Sequence, residues 1–229
     1  DLRNCLVALA EAEPLMEHLF QHRFTDRAKD LAGHMLGNLI IAGLQEISGD
    51  FNDAIQQTSS VLAVRGRVLP SANQALVLRA TMADGRTVEG ETAIVADACA
   101  ITEITLVPPD VQPLPEALEA IRQANIIIVG PGSVYTSLLP NLIIPGVAEA
   151  LAESAAIKFF VCNVMTQPGE SDAMTASEHV AAILANVGTK IFDYVLLNNG
   201  EPGPDRLERY RESGQTLVEP DADRVRALG

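Results

Sequence analysis

Past Pro113, three short apolar runs at residues 125–130, 158–164 and 194–198 are separated by segments with helical spacing. Strands joined by such helices do not pair as hairpins; they call for right-handed β-α-β crossovers and a parallel sheet. The helical pieces are residues 115–123, two short helices split by Pro140 and Pro145, and residues 175–187. A parallel sheet is buried on both faces, so its filling should be aliphatic and branched. The composition agrees: 48% of residues are hydrophobic, only 4% are aromatic, and there is no Trp. The expected fold class is α/β, a Rossmann-like parallel sheet flanked by helices.

The chain ahead of this region has two characters. Residues 2–10 and 14–22 carry apolar side chains at helical spacing, and residues 28–46 extend the pattern into a long helix. Gly33, Gly37 and Gly43 fall inside that segment, which calls for close packing against backbone or ligand to offset their helix cost. A short helix is expected at 50–57. From 61 to 107 the pattern turns β-like, in runs at 61–69, 75–82, 86–91 and 101–106, and Asp84-Gly85 is a hairpin signal. This predicts a small antiparallel module at 58–107, inserted in one domain that spans residues 1–229. The tail is polar, with a short helix at 205–211.

With 16 basic against 30 acidic residues the net charge is −14, and no Lys/Arg run offers itself to nucleic acid. The same balance disfavours anionic membranes. A small anionic ligand stays open, because backbone amides at a helix start bind phosphate without any Lys. Cys5, Cys99 and Cys162 are odd in number and form no C-x-x-C pair, as in a reducing compartment; Cys5 and Cys162 sit in apolar stretches, where buried thiols occur. No signal peptide and no run near ~18–20 apolar residues is present, so a cytoplasmic protein without membrane insertion is expected. Sheet edges and apolar helices are compatible with a homodimer.

Three strands end in polar residues. The first runs into Gly130-Pro131-Gly132-Ser133, the second into Asn163, and the third into Asn198-Asn199-Gly200. Ligands of open α/β sheets bind beyond the carboxyl ends of the strands. Glycine permits close backbone approach, Ser133 can cap the following helix, Thr136 and Ser137 add hydroxyls, and the asparagines can read a base or sugar. Taken alone, G-P-G-S is equally the signature of a tight strand-to-helix turn; the three polar strand ends together make the ligand reading the better one.

Other candidates weigh less. His18 and His22 have i, i+4 spacing but no H-E-x-x-H glutamate and no third ligand, so an exposed helix face is the simpler account and no metal is assigned. His34, beside Gly33 and one turn before Asn38, is either a ligand contact or a satisfied, partly buried histidine. His179 reads as structural or solvated, the Glu149/Glu153 run as a wet helix face, and Asp172 as a helix cap, with metal binding the alternative. These residues supply a binding site and no catalytic set.

The segments G-P-G-S-V-Y-T-S at 130–137, L-P-N-L at 139–142 with Pro145-Gly146, V-C-N-V-M-T-Q-P-G-E at 161–170 and A-S-E-H-V at 176–180 closely resemble the YvcK-type gluconeogenesis factors. Asp1-Leu2-Arg3-Asn4 and G-H-M-L-G-N-L at 33–39 resemble the amino-terminal motifs of that family, and the similarity covers nearly the whole chain. The resemblance implies a bacterial cytoplasmic factor for cell shape and for growth on gluconeogenic carbon sources. It implies binding of a nucleotide sugar of the UDP-N-acetylglucosamine type, with no assigned reaction, and cell-envelope synthesis proteins as partners. The expected ligand residues are Asn4, His34, Asn38, Gly130, Gly132, Ser133, Thr136, Asn163, Asn198 and, for stacking on a ring, Tyr210. The family is related to 2-phospho-L-lactate transferase, so the alternative is transfer of a phosphate-containing group with Mg²⁺ as cofactor. It also implies a strand and a Gly-Gly-Gly-Thr-Gly loop ahead of Asp1 and a further piece after Gly229, so the chain is expected to be a fragment.

Overall fold

The computed structural model describes residues 2–11, 14–97 and 99–229; Asp1 of the amino-terminal motif lies outside them. The chain divides into two compact units, Asp1–Gln74 and Ala75–Gly229.

The first unit is helical: α1 (Leu2–Ala8), α2 (Pro14–Phe20), α3 (Leu36–Ser48) and α4 (Phe51–Val61). Leu6, Val7, Phe20, Ile41, Ile55, Leu62 and Val68 form its core. The long helix expected over 28–46 is shorter. A 3₁₀ turn occupies Asp26–Leu31, Gly33 turns with φ +83°, and the helix begins only at Leu36. Of the three glycines, Gly37 has the packing reason: a Cβ there would lie 2.7 Å from the Phe20 carbonyl and 2.9 Å from Arg3 Cδ, whereas Gly43 faces open space. Asp50 caps α4 by accepting from the Asp53 amide at 2.9 Å. The β-like run at 61–69 is not a strand; α4 ends there, and only Val64 makes an isolated bridge, to Ala10. Cys5 is exposed and Cys162 is buried, so an apolar stretch correctly signals burial at only one of them.

The second unit opens with an antiparallel sheet of β1 (Val77–Met82), β2 (Thr87–Glu89) and β3 (Ile101–Val107), ordered β2-β1-β3. The module starts later than the expected residue 58, because 58–61 complete α4, and it includes a helix the pattern did not suggest, α5 (Glu91–Asp97). The hairpin at Asp84-Gly85 forms, with Gly85 at φ +87° and Asp84 Oδ1 accepting from the Arg86 amide at 3.0 Å.

Then come α6 (Pro115–Gln123), β4 (Ile126–Val129), α7 (Leu139–Leu142), α8 (Val147–Glu153), β5 (Ile157–Val161), α9 (Ala176–Val187), β6 (Tyr194–Leu196), α10 (Pro204–Glu212) and α11 (Ala222–Ala227). Strands β4, β5 and β6 are parallel and ordered in sequence, as consecutive β-α-β units require. Phe160 at the centre of β5 is buried and stacks on Phe192 at 5.2 Å. Lys158 is accommodated inside by donating to the Ser154 and Ala156 carbonyls at 3.0 and 3.2 Å. Helix α9 has a complete capping box between Thr175 and Glu178 and ends at Gly188 in the left-handed conformation. The tail also braces this region: the amides of Thr166 and Ala176 donate to the carbonyls of Thr216 and Glu219, and Asp221 accepts from the Ser177 amide and hydroxyl. No single helix among the described residues is long and apolar enough to cross a membrane.

Candidate functional site

The carboxyl ends of β4 and β5 are neighbours, and the loops leaving them are bonded side chain to backbone. Gly130 leaves β4 with φ +87°, and a Cβ on it would stand 2.8 Å from the Val161 carbonyl oxygen, so only glycine permits this approach. Two residues on, Asn163 grips the Gly132 peptide from both sides. The Gly132 amide donates to Asn163 Oδ1 at 3.1 Å, and Asn163 Nδ2 donates to the Gly132 carbonyl at 2.9 Å. The Ser133 hydroxyl donates to Gln167 Oε1 at 2.6 Å. Beyond it a wide turn, Val134–Leu138, closes through Ser137 and Leu138 amides onto the Ser133 carbonyl and leads into α7.

Glu170 holds that turn. Its carboxylate accepts from the Thr136 hydroxyl at 2.7 Å and from the Thr136 amide at 3.2 Å. The residue is only 6% exposed. Burial pushes its pKa up, and the Thr136 hydrogen bonds oppose that only in part. Tyr135 beside it is also buried; burial, and then the Glu170 charge, raise its phenol. The loop carrying Glu170 is seated in turn on α5: Gly169 has φ +80°, and a Cβ there would collide with the Val95 carbonyl oxygen. Asp172 accepts from the Gly169 amide at 2.8 Å and so closes this loop on itself. A cavity of about 500 Å³ is bordered by Tyr135, Gly169, Glu170, Asp172 and Glu178 with Cys99, Ala100 and Ile101.

Of the expected ligand residues, Gly130, Gly132, Ser133, Thr136 and Asn163 are thus in one cluster. Asn198, past β6, closes a local turn with Gly200, donating through Nδ2 at 2.7 Å. It borders a narrow crevice with Asn163, Cys162, Ala176 and Val218. Burial drives the Cys162 thiol up to about 11, so it is a packing residue and not a nucleophile. Tyr210 is exposed on α10. Asn4, His34 and Asn38 lie in the first unit, all exposed. His179 is structural: it is fully buried, with Nδ1 at 2.8 Å from the Thr175 carbonyl. Another cavity, of about 430 Å³, lies among α9, β6 and α11, and none of the loop residues lines it. Gln167 and Glu170 escaped the residue-by-residue reading. Their signal is the motif at 161–170, whose Asn163, Gln167 and Glu170 each bond to a residue of the motif at 130–137.

A parallel sheet whose adjacent strand ends carry a glycine-rich turn locked by polar side chains defines an α/β protein, with its candidate site at the carboxyl edge of the sheet. The chain belongs to the CofD family and, within it, to the gluconeogenesis factors: the model described as 2-phospho-L-lactate transferase CofD matches residues 1–229. The gluconeogenesis factor of Halalkalibacterium halodurans is 48% identical over 230 residues, covering 100% of this chain and 71% of that protein. That of Bacillus subtilis (strain 168) is 46% identical over 230 residues, covering 100% and 72%. A crystal structure of a UPF0052 family member from Bacillus halodurans matches with a TM-score of 0.95 at 47% identity, covering 100% of this chain and 74% of that one. The resemblance carried by the motifs therefore holds over the whole chain, as does the α/β fold class.

Proposed function

We propose that this chain acts as a gluconeogenesis factor, as its relatives are named, and does so by binding a nucleotide sugar of the UDP-N-acetylglucosamine type. The observation that carries the ligand reading is the pair of bonded loops beyond β4 and β5. A loop fixed in one shape beside glycines that admit close approach forms the environment a diphosphate uses. In this reading the 130–136 loop faces the diphosphate, held in place by Asn163, and Asn198 reaches the base or sugar. Tyr210 stacks on a ring. The protein works in the cytoplasm on growth with gluconeogenic carbon sources and on cell shape, alone or as a homodimer, with envelope-synthesis proteins as partners.

The test is calorimetric titration of UDP-N-acetylglucosamine into the full-length protein, with UDP-glucose, UMP and GTP alongside. Selective UDP-sugar binding that Gly132→Val abolishes supports the assignment; affinity unchanged by Gly132→Val removes it from this loop. The second reading, transfer of a phosphate-containing group, is favoured by the description of the matching family model. It would use Mg²⁺ near Asp172, whose carboxylate here accepts from Gly169. Metal-dependent turnover that Asp172→Asn removes would establish it.

A further inference from the structure

The groups of the 130–136 loop that a phosphate would approach first already have partners. Asn163 occupies both the amide and the carbonyl of Gly132, and Glu170 receives both the amide and the hydroxyl of Thr136. A phosphate taking the Thr136 amide would have to displace a carboxylate that is 6% exposed. It would leave that carboxylate buried without its donors and place a second anion beside it, and both effects oppose binding. A loop held in one shape from behind, in contrast, binds tighter because its ordering has already been met.

We propose that Glu170 and Asn163 are positioning residues that hold the 130–136 loop in its binding shape, and that the Gly132 and Thr136 amides are not contacts of the ligand. This rests on the reading of the loop as a nucleotide-sugar site. Two arrangements are then opposed in sign. If Glu170 positions the loop, removing it weakens binding; if its carboxylate competes with the phosphate for the same donors, removing its charge strengthens binding. Glutamine separates them further. Its carbonyl still accepts from the Thr136 amide and its NH₂ donates to the Thr136 hydroxyl oxygen, so the clamp survives while the charge is gone.

The experiment titrates UDP-N-acetylglucosamine into the full-length wild type, Glu170→Gln, Glu170→Ala and Asn163→Ala, and follows backbone amide exchange in each without ligand. Positioning predicts a Kd within about threefold of wild type for Glu170→Gln and weaker by about tenfold or more for Glu170→Ala and Asn163→Ala. Exchange speeds up at Thr136 in Glu170→Ala, speeds up at Gly132 in Asn163→Ala, and stays slow at Thr136 in Glu170→Gln. Unchanged or tighter binding by Glu170→Ala, or clearly tighter binding by Glu170→Gln, overturns the proposal. Should Glu170→Ala not fold, Glu170→Gln and Asn163→Ala decide by the same criteria. A wild type that binds no UDP-sugar ends the nucleotide-sugar reading, while the exchange rates still test the clamp: no change at Thr136 or Gly132 in the alanine variants overturns it.

Discussion

Asn4, His34 and Asn38 in the helical unit are exposed, and none of their side chains has a hydrogen bond among the described residues. Ser133, Thr136 and Asn163 in the second unit are half-buried or buried, and each side chain is bonded to a partner 31 or 34 residues away. Both sets looked alike as polar residues in matching motifs. The physical difference is what each can lose. An exposed asparagine exchanges one water for a ligand group at little cost to the fold, whereas a loop residue that is already bonded carries the shape of its surroundings. Ligand contacts and loop-shaping residues are therefore different groups within one motif, and substitutions should sort them by their effect on stability.

The largest effect is expected where the second unit has no room at all. Gly169→Ala drives a Cβ into the Val95 carbonyl oxygen at a residue with φ +80°. Overpacking and left-handed strain together should cost on the order of 3 kcal/mol or more, read as a fall in the thermal midpoint. A midpoint within a degree or two of wild type would mean that the loop bearing Glu170 is not seated on α5. Asn163→Ala comes next. It removes two hydrogen bonds to Gly132 and should cost about 1–3 kcal/mol in denaturant unfolding.

Glu170 sharpens the comparison through pH. Its folded-state pKa is raised, so the native protein holds this proton at pH values where the unfolded chain has released it. The contribution of this group is complete below the ordinary glutamate value and is lost as pH rises through the raised native value. Across that window the wild type should lose stability relative to Glu170→Gln, which has no proton to release. Parallel stability profiles of the two proteins through the mildly acidic range would show that burial does not govern this carboxylate.

The parallel sheet was legible because its signals are local: apolar runs of strand length, helical spacers, and glycine or asparagine at each strand end. The breaks in the first unit were not. Nothing in the periodicity of 28–46 announces that Gly33 adopts φ +83° and delays the helix to Leu36, since an apolar spacing survives a turn inserted within it. Helix α5 was hidden for the converse reason: seven residues between two strands are too few for a helical period to stand out. Within the site, the glycines and Asn163 were visible as types, but their pairing across about thirty residues was not, because a hydrogen bond between two loops leaves no periodic trace. Gln167 and Glu170 acquire meaning only once β4 and β5 lie side by side.

The smallest expected effect belongs to the exposed set. His34→Ala and Asn38→Ala should change stability by no more than about 0.5 kcal/mol, since both side chains are exposed and neither is bonded among the described residues. That near-neutrality makes them the cleanest probes of the ligand reading, because any loss of UDP-sugar affinity cannot be charged to a damaged fold. A tenfold weaker Kd with an unchanged thermal midpoint would place them among the contacts. An unchanged Kd in both, set against weakened binding in Asn163→Ala, would confine recognition to the strand ends of the second unit and leave the 33–39 motif to be explained by the close packing of Gly37 on Phe20.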